Sequence, residues 1–216
     1  MARYRPYVVM NAAMTLDGKI ATRNGDSKIS SRLDLARVHR LRTKVDAILV
    51  GINTVRIDNP RLLSYGRKNP IRVVVDSRGR IGLRTRIMHT CDIIPTIIAL
   101  SEKAPKAKIK KIQSLGGVVL VCGKDKVDLK KLLTMLKDGG INKLLVEGGG
   151  EINWTMLKNN LVDEVMVTVA PRIVGGRSAT TLVEGKGFPT VRKGIKLKLA
   201  KIRRIGSEMV LSYKII

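Results

Sequence analysis

The segment from residue 143 to residue 154 has the residue types of a ligand-binding turn. A short apolar run ends in Glu147, and three consecutive glycines then lead into a helical pattern. Because glycine has no Cβ, a ligand can approach its backbone closely, and the first N–H groups of a helix attract anions. We predict a strand, a tight turn and a helix N-terminus, with Glu147 at the strand end where ligands of parallel sheets bind. A plain glycine loop is the alternative.

A carboxylate and an ammonium group follow the first apolar run. Asp17 and Lys19 flank Gly18 directly after the residues 7–13, which we predict to form a buried strand. Asp-Gly is a common turn sequence, so these residues could simply make a turn. At the carboxyl end of a strand, however, the same pair could polarise or protonate a carbonyl or imine.

Three further groups of polar residues lie near predicted strand ends. Arg42 borders the apolar stripe of a predicted helix, where it either extends along the helix surface to solvent or holds a phosphate. Thr54 and Asp58 share a face if their segment is helical, and either cap that segment or contact ribose or nicotinamide groups. Residues 76–78 (Asp-Ser-Arg) either make a turn or bind an adenosine 2′-phosphate, which would favour NADPH over NADH.

The sequence lacks the common signatures of nucleotide and metal sites. Residues 148–153 miss the last glycine of GxGxxG, and residues 117–124 do not fit a P-loop. Cys91 and Cys122 are isolated, and His39 and His89 have no metal-ligand spacing. We therefore expect no metal site.

Composition restricts the function classes. The net charge of +25 suggests nucleic-acid binding, but aromatics are only 3% and the cations are scattered along the chain. Anionic ligands, a basic proteome or thermophilic ion pairing would also account for the charge. No apolar run approaches the ~20 residues that span a bilayer. We expect a cytoplasmic protein with no specific nucleic-acid partner and no membrane association.

Strand-like and helix-like segments alternate along most of the 216 residues. Near-continuous apolar runs between helices predict a mostly parallel sheet that is covered on both faces. One helix is predicted over residues 32–44, with Ser30 or Ser31 as its cap and Leu35, Val38, Leu41 and Val45 as its apolar stripe. The last two strands flank residues 206–207 and predict an antiparallel hairpin. We expect one domain over residues 1–216.

Taken in order, these segments resemble a known enzyme family, the pyrimidine reductases of riboflavin biosynthesis. These are the archaeal and fungal 2,5-diamino-6-ribosylamino-4(3H)-pyrimidinone 5′-phosphate reductases and the reductase half of the bacterial deaminase-reductase. The resemblance is carried by residues 14–19 (MTLDGK), 25–27 (GDS), 40–42 (RLR), 50–55 (VGINTV), 58–62 (DNPRL), 75–77 (VDS), 147–149 (EGG), 161–164 (LVDE), 170–171 (AP) and 175–176 (GG).

The resemblance implies a dihydrofolate-reductase-like three-layer α/β/α fold, a mostly parallel central sheet with a C-terminal antiparallel hairpin, and a homodimer. It also implies NADPH, with NADH as the alternative donor, and a ribosylaminopyrimidine phosphate as substrate. Hydride transfer to C1′ of the ring-opened imine would convert the ribosyl group into a ribityl chain.

The resemblance also implies the roles of individual residues. The catalytic residues would be Lys19, Glu147 and Asp17. The cofactor would be held by Thr54, Asp58, Asp76, Ser77, Arg78, Gly148, Gly149, Gly150, Glu151 and Ile152. The substrate would be held by Asn11, Ser27, Arg42 and Glu147.

Two positions depart from the family, which often has Gly where Asn53 stands and Asp where Asn59 stands. The chain also lacks the H-x-E…P-C-x-x-C signature of a zinc deaminase and has no room for that domain. We therefore expect the archaeal and fungal reaction, which precedes deamination. The alternatives are the bacterial-type reductase acting on the deaminated uracil, dihydrofolate reductase, and a basic nucleic-acid-binding protein.

Overall fold

The computed structural model describes residues 4–66 and 68–216. Its strands are β1 (Tyr7–Thr15), β2 (Ala47–Gly51), β3 (Ile71–Val75), β4 (Thr96–Leu100), β5 (Val118–Val121), β6 (Lys143–Val146), β7 (Glu164–Ala170), β8 (Leu197–Ile205) and β9 (Glu208–Ile215). Its α-helices are α1 (Arg32–Arg42), α2 (Ile52–Asp58), α3 (Lys106–Ser114), α4 (Leu129–Asp138) and α5 (Gly150–Lys158). Short 3-10 helices occupy Met88–Thr90 and Val191–Lys193.

The first of two compact units contains residues 4–7 and His39–Leu145. Its strands follow the order β5-β4-β3-β2-β6, and neighbours from β2 to β5 are parallel. The strands are short apolar runs, and β2 is buried along its whole length. Helix α4 begins at Asp128, whose carboxylate accepts hydrogen bonds from the N–H groups of Lys130 and Lys131.

One cation lies inside this first unit. The Arg72 side chain is fully buried and donates to the carbonyls of Ile87, Thr90 and Ile94 at 3.0, 3.0 and 3.1 Å. It also donates to the Thr96 hydroxyl at 2.7 Å. Burial lowers the pKa of Arg72 to about 10. Its donors therefore hold the segment between β3 and β4 against the sheet.

The second compact unit contains Val8–Val38 and Val146–Ile216. Strand β1 pairs in parallel with β7, whereas β9 is antiparallel to both β7 and β8. The β8–β9 hairpin turns at Gly206, which has a φ of 59°. The predicted antiparallel hairpin around residues 206–207 is therefore confirmed.

The predicted α/β class is also confirmed, because strands alternate with α-helices over most of the described residues. The observed strands agree to within two residues at each end with the strands expected from the sequence, which are residues 7–13, 46–51, 71–76, 96–100, 118–121, 144–146, 165–170, 195–205 and 208–216. The expectation of a single domain stays a prediction, since neither compact unit is continuous in sequence.

The predicted apolar stripe of α1 is partly wrong. Val38 is buried as expected, but Leu35 is 50% exposed and Asp34 is buried in its place. Asp34 can be buried because its carboxylate accepts hydrogen bonds from Ser30, Arg37 and Thr168. Ser31 begins the helix as predicted, and its hydroxyl accepts the N–H of Asp34 at 3.2 Å.

Candidate functional site

The Asp17 carboxylate closes the turn that follows β1. Its Oδ1 accepts the Thr15 hydroxyl at 2.6 Å, and its Oδ2 accepts the N–H of Gly175 at 2.8 Å. The Thr15 hydrogen bond is the main cause that lowers the pKa of Asp17 below its ordinary value. Asp17 is therefore ionised at neutral pH and is suited to holding the turn rather than to donating a proton.

Lys19 presents its ammonium group from the same turn. The side chain is half-buried, and its Nζ lies 3.4 Å from the carbonyl oxygen of Ala179. The Lys19 backbone accepts the N–H of Thr15 at 2.9 Å and forms an isolated antiparallel β-bridge with Thr181. Its position is thus fixed by main-chain contacts on both sides.

The glycine-rich turn has the predicted strand–turn–helix form. Glu147 follows β6 and is half-buried, Gly148 has a φ of 83°, and the peptide bond that follows Gly148 is cis. Helix α5 begins at Gly150, and no side chain caps it at Gly149. Backbone N–H groups at an uncapped helix start can bind an anion.

Of the other two residues predicted to bind the cofactor from this helix start, Glu151 is exposed and Ile152 is half-buried. The next residue, Asn153, is fully buried and donates from Nδ2 to the Leu182 carbonyl at 2.8 Å. The sequence analysis did not identify Asn153.

A coil segment, residues 172–184, joins the Lys19 turn to the start of α5, and we name it the strap. Main-chain hydrogen bonds attach it to the turn: Leu16 N–H to Arg172 O at 2.8 Å and Ile20 N–H to Thr180 O at 2.9 Å. At its other end, Glu184 N–H donates to Gly150 O at 3.2 Å. No sequence signal predicts the strap, because backbone atoms make these bonds.

A buried polar network surrounds Asn11. Asn11 is 6% exposed, and its amide oxygen accepts from Arg37 Nη2 at 2.9 Å. Arg37 also donates to Asp34 at 2.7 Å and to the Thr168 hydroxyl at 3.1 Å. The sequence analysis missed Arg37, although the i,i+3 spacing of Asp34 and Arg37 in a helix indicates such a pair. Ser27, by contrast, is exposed.

Five predicted cofactor residues lie in the first unit. Thr54 and Asp58 are both in α2, as expected, and Thr54 is half-buried whereas Asp58 is exposed. Asp76 follows β3 and is fully buried, with its Oδ2 accepting the N–H of Ile81 at 2.7 Å. The Ser77 hydroxyl oxygen accepts the N–H of Val127 at 2.9 Å, and Arg78 is exposed.

The predicted phosphate-binding Arg42 is the last residue of α1. It is half-buried, and its Nη1 donates to the Leu63 carbonyl at 2.9 Å. In the same helix, His39 is half-buried, and its ring stacks on that of Tyr65 with a 4.5 Å centroid distance.

Within residues 4–66 and 68–216, no group of three or more His, Cys, Asp or Glu residues could hold a metal ion. None of the helices in this part of the chain is long and apolar enough to cross a membrane.

Comparisons with known proteins agree with the geometry. A family model described as the RibD C-terminal domain matches residues 6–211. The 2,5-diamino-6-ribosylamino-4(3H)-pyrimidinone 5′-phosphate reductase of Methanothermobacter thermautotrophicus is 47% identical, covering 98% of this chain and 99% of its own. A protein of the same name from Aquifex aeolicus is 38% identical, covering 98% of this chain and 97% of its own.

Among solved structures, the RibD protein of Acinetobacter baumannii matches all of this chain with a TM-score of 0.87 and 26% identity. This chain spans 59% of that longer protein. The match confirms the predicted dihydrofolate-reductase-like fold. The chain belongs to the RibD C-terminal domain family, the reductases of riboflavin biosynthesis.

Proposed function

We propose that this protein reduces the ribosyl group of 2,5-diamino-6-ribosylamino-4(3H)-pyrimidinone 5′-phosphate to a ribityl group, with NADPH as the hydride donor. One observation carries the proposal. The M. thermautotrophicus protein named for this activity is 47% identical over 98% of this chain. The strand-end positions of Lys19 and Glu147 support it, because both lie where ligands of α/β sheets bind.

The glycine-rich turn suits a dinucleotide. Gly148 presents no side chain, and the first turn of α5 has no side-chain cap, so its N–H groups can bind a pyrophosphate. Bound NADPH would supply the hydride. Gly149, Gly150, Glu151 and Ile152 would hold it, and cofactor contacts of Thr54 and Asp58 stay a prediction from the sequence.

Arg78 is the residue that favours NADPH over NADH. Its exposed guanidinium follows the β3 end, and the neighbouring Ser77 hydroxyl can donate as well, so both suit a 2′-phosphate. Asp76 is fully buried and holds the N–H of Ile81, so we assign it to the shape of this turn. Arg78→Ala should raise KM for NADPH and leave KM for NADH unchanged. Equal changes for the two cofactors would refute the assignment.

We assign the substrate to residues of the second unit. Lys19 and Glu147 would contact the ribose near the reacting carbon, and the ammonium group of Lys19 can stabilise developing negative charge or supply a proton. Asp17 would act by holding the Lys19 turn, and Asn11 and Ser27 would contact the substrate. The role of Arg42 in binding the substrate phosphate stays a prediction from the sequence.

Spectrophotometric assay of NADPH oxidation tests the function. We expect turnover of the diamino-pyrimidinone phosphate and at most feeble turnover of dihydrofolate. Turnover of the deaminated uracil alone would select the bacterial-type reaction. No turnover of either pyrimidine would refute the proposal.

We also propose that the protein is a homodimer that pairs through one face of the β8–β9 hairpin. Leu199 and Ile202 are 48% and 51% exposed, and they pair across the strands with Tyr213 and Leu211. Three of the four cations of β8, Lys198, Lys201 and Arg203, lie on the opposite face, and Arg204 lies at the turn end of the apolar face. A second copy could therefore bury this apolar face while the cationic faces stay apart.

Light scattering coupled to size-exclusion chromatography tests this pairing. The wild-type protein should elute with twice the 23.8 kDa chain mass. Ile202→Asp should give monomers, whereas Lys201→Asp on the opposite face should remain dimeric. A monomeric wild-type protein, or dimerisation of the Ile202→Asp variant, would argue against this interface.

A further inference from the structure

We propose that Glu184 is a positioning residue that holds the strap and thereby fixes Lys19 and the start of α5. This inference rests on the proposed function, because it concerns how residues assigned to the reaction are held. Glu184 itself need not touch either ligand. Its effect on the reaction would pass through Thr181, the strap residue that pairs with Lys19.

The Glu184 carboxylate fixes the conformation of Thr181. Its Oε1 accepts both the backbone N–H of Thr181 at 2.5 Å and the Thr181 hydroxyl at 2.8 Å. Hydrogen bonds to a charged acceptor are about twice as strong as neutral ones. Both bonds come from one residue, so they determine its orientation as well as its position.

Thr181 in turn aligns the Lys19 turn. The two residues form an isolated antiparallel β-bridge. Hydrogen bonds flank it on either side, from Ile20 N–H to Thr180 O at 2.9 Å and from Leu182 N–H to Gly18 O at 3.1 Å. The strap also supplies the Ala179 carbonyl that lies 3.4 Å from Lys19 Nζ. A displaced strap would therefore move the Lys19 backbone and remove a partner of its ammonium group.

The other end of the strap lies against Gly150. Glu184 N–H donates to the Gly150 carbonyl at 3.2 Å. A Cβ on Gly150 would collide with Glu184 Cγ and would lie 2.8 Å from the Thr181 carbonyl oxygen. Glycine is thus required for this close approach. The same carboxylate-bearing residue therefore touches the helix start to which we assign the cofactor.

A double-mutant cycle separates positioning from general stabilisation. We would measure kcat and KM at saturating NADPH for Glu184→Ala, Glu184→Gln, Lys19→Ala and Glu184→Ala/Lys19→Ala, with Tm for each. Glu208→Ala is the matched control. Glu208 is a buried glutamate that also accepts a backbone N–H and a hydroxyl from one residue, Ser31.

We expect Glu184→Ala to lower kcat by about 10-fold, since displacements of ~1 Å can cost up to ~100-fold in rate. Glu184→Gln should recover kcat to within about 2-fold, because its amide oxygen can accept the same two bonds. In the Lys19→Ala background, Glu184→Ala should lower kcat by less than about 2-fold. Glu208→Ala should lower Tm and leave kcat unchanged.

Wild-type kcat in Glu184→Ala would overturn the inference. So would an equal fold loss of kcat on Glu184→Ala in the wild-type and Lys19→Ala backgrounds. If Glu184→Ala does not fold, Thr181→Val takes its place in the cycle and is judged in the same way. Lys19→Ala with wild-type kcat would instead refute the proposed role of Lys19. The Glu184 inference would then be judged on NADPH affinity, and an unchanged Kd in Glu184→Ala would overturn it.

Discussion

Gly150→Ala tests the close approach of the strap to α5 with one added methyl group. The new Cβ would lie 2.8 Å from the Thr181 carbonyl oxygen and would collide with Glu184 Cγ. The glutamate side chain can rotate away, but the carbonyl belongs to the backbone. The strap must therefore retreat from the helix start.

The size of this displacement determines the expected loss of activity. To reach an ordinary contact distance of 3.4 Å, the Thr181 carbonyl must move by about 0.6 Å. Such a displacement corresponds to a loss of roughly 10-fold in kcat/KM, given that ~1 Å can cost ~100-fold. Overpacking costs about 1–3 kcal/mol of stability, of which the better helix propensity of alanine offsets about 1 kcal/mol. A 10-fold loss of kcat/KM corresponds to about 1.4 kcal/mol, which is similar to the net cost to folding of about 0–2 kcal/mol.

Steady-state NADPH oxidation and urea denaturation measure the two effects separately. Gly139→Ala is the control, because its Cβ would meet only the Met135 and Leu136 carbonyls, at 3.4 and 3.5 Å. It should retain wild-type kcat/KM. Wild-type kcat/KM in Gly150→Ala would refute the reasoning, because the strap would then have no influence on the site.

The remaining predictions concern individual side chains. Glu147→Gln should lower kcat strongly while NADPH Kd stays nearly constant; loss of NADPH binding alone would reassign Glu147 to the cofactor. Arg42→Ala should mainly raise substrate KM, and an unchanged KM would contradict the phosphate assignment. Arg72→Met should lower the free energy of unfolding by about 2–6 kcal/mol in urea titrations, because the carbonyls of Ile87 and Thr90 lose the Nη2 donor at ~1–3 kcal/mol each; a loss below about 1 kcal/mol would contradict this account. Burial raises the pKa of Cys91 and raises that of Cys122 to about 11, so a thiol reagent at pH 8 should modify neither in the native protein and both in urea. The folded state keeps the Cys122 proton that the unfolded state loses above about pH 9, so this thiol should lower stability as pH rises from about 9 to about 11.

Strands β2, β3 and β4 could be predicted because they are mostly apolar runs whose residues are almost all buried. Strand β2 is buried at every position, and the predicted strand at residues 96–100 has the observed bounds of β4. The polar residues that follow such runs, including Lys19 and Glu147, could be placed for the same reason: a strand end fixes where the next side chains begin.

The face of α1 could not be predicted from periodicity alone. Hydrophobic spacing favours Leu35 as a core residue, yet Asp34 is 1% exposed and Leu35 is 50% exposed. A carboxylate is buried at little cost only when donors satisfy it. Thr168, one of those donors, is 134 residues away in the chain, so no local pattern contains the compensation.

The strap could not be predicted from the sequence for a related reason. The contacts that hold it show which positions determine its path. Most of its bonds to the Lys19 turn and to Gly150 join backbone atoms, which every sequence provides. The side chains matter only where they permit or enforce the path: Gly150 permits the close approach, and Glu184 holds Thr181. A substitution at Gly150 or Glu184 leaves Lys19 itself intact. If such a substitution lowers kcat while Lys19 is still present, the loss comes from a displaced Lys19 and not from a missing ammonium group. The double-mutant cycle with Lys19→Ala can therefore distinguish a positioning effect from the loss of the Lys19 side chain.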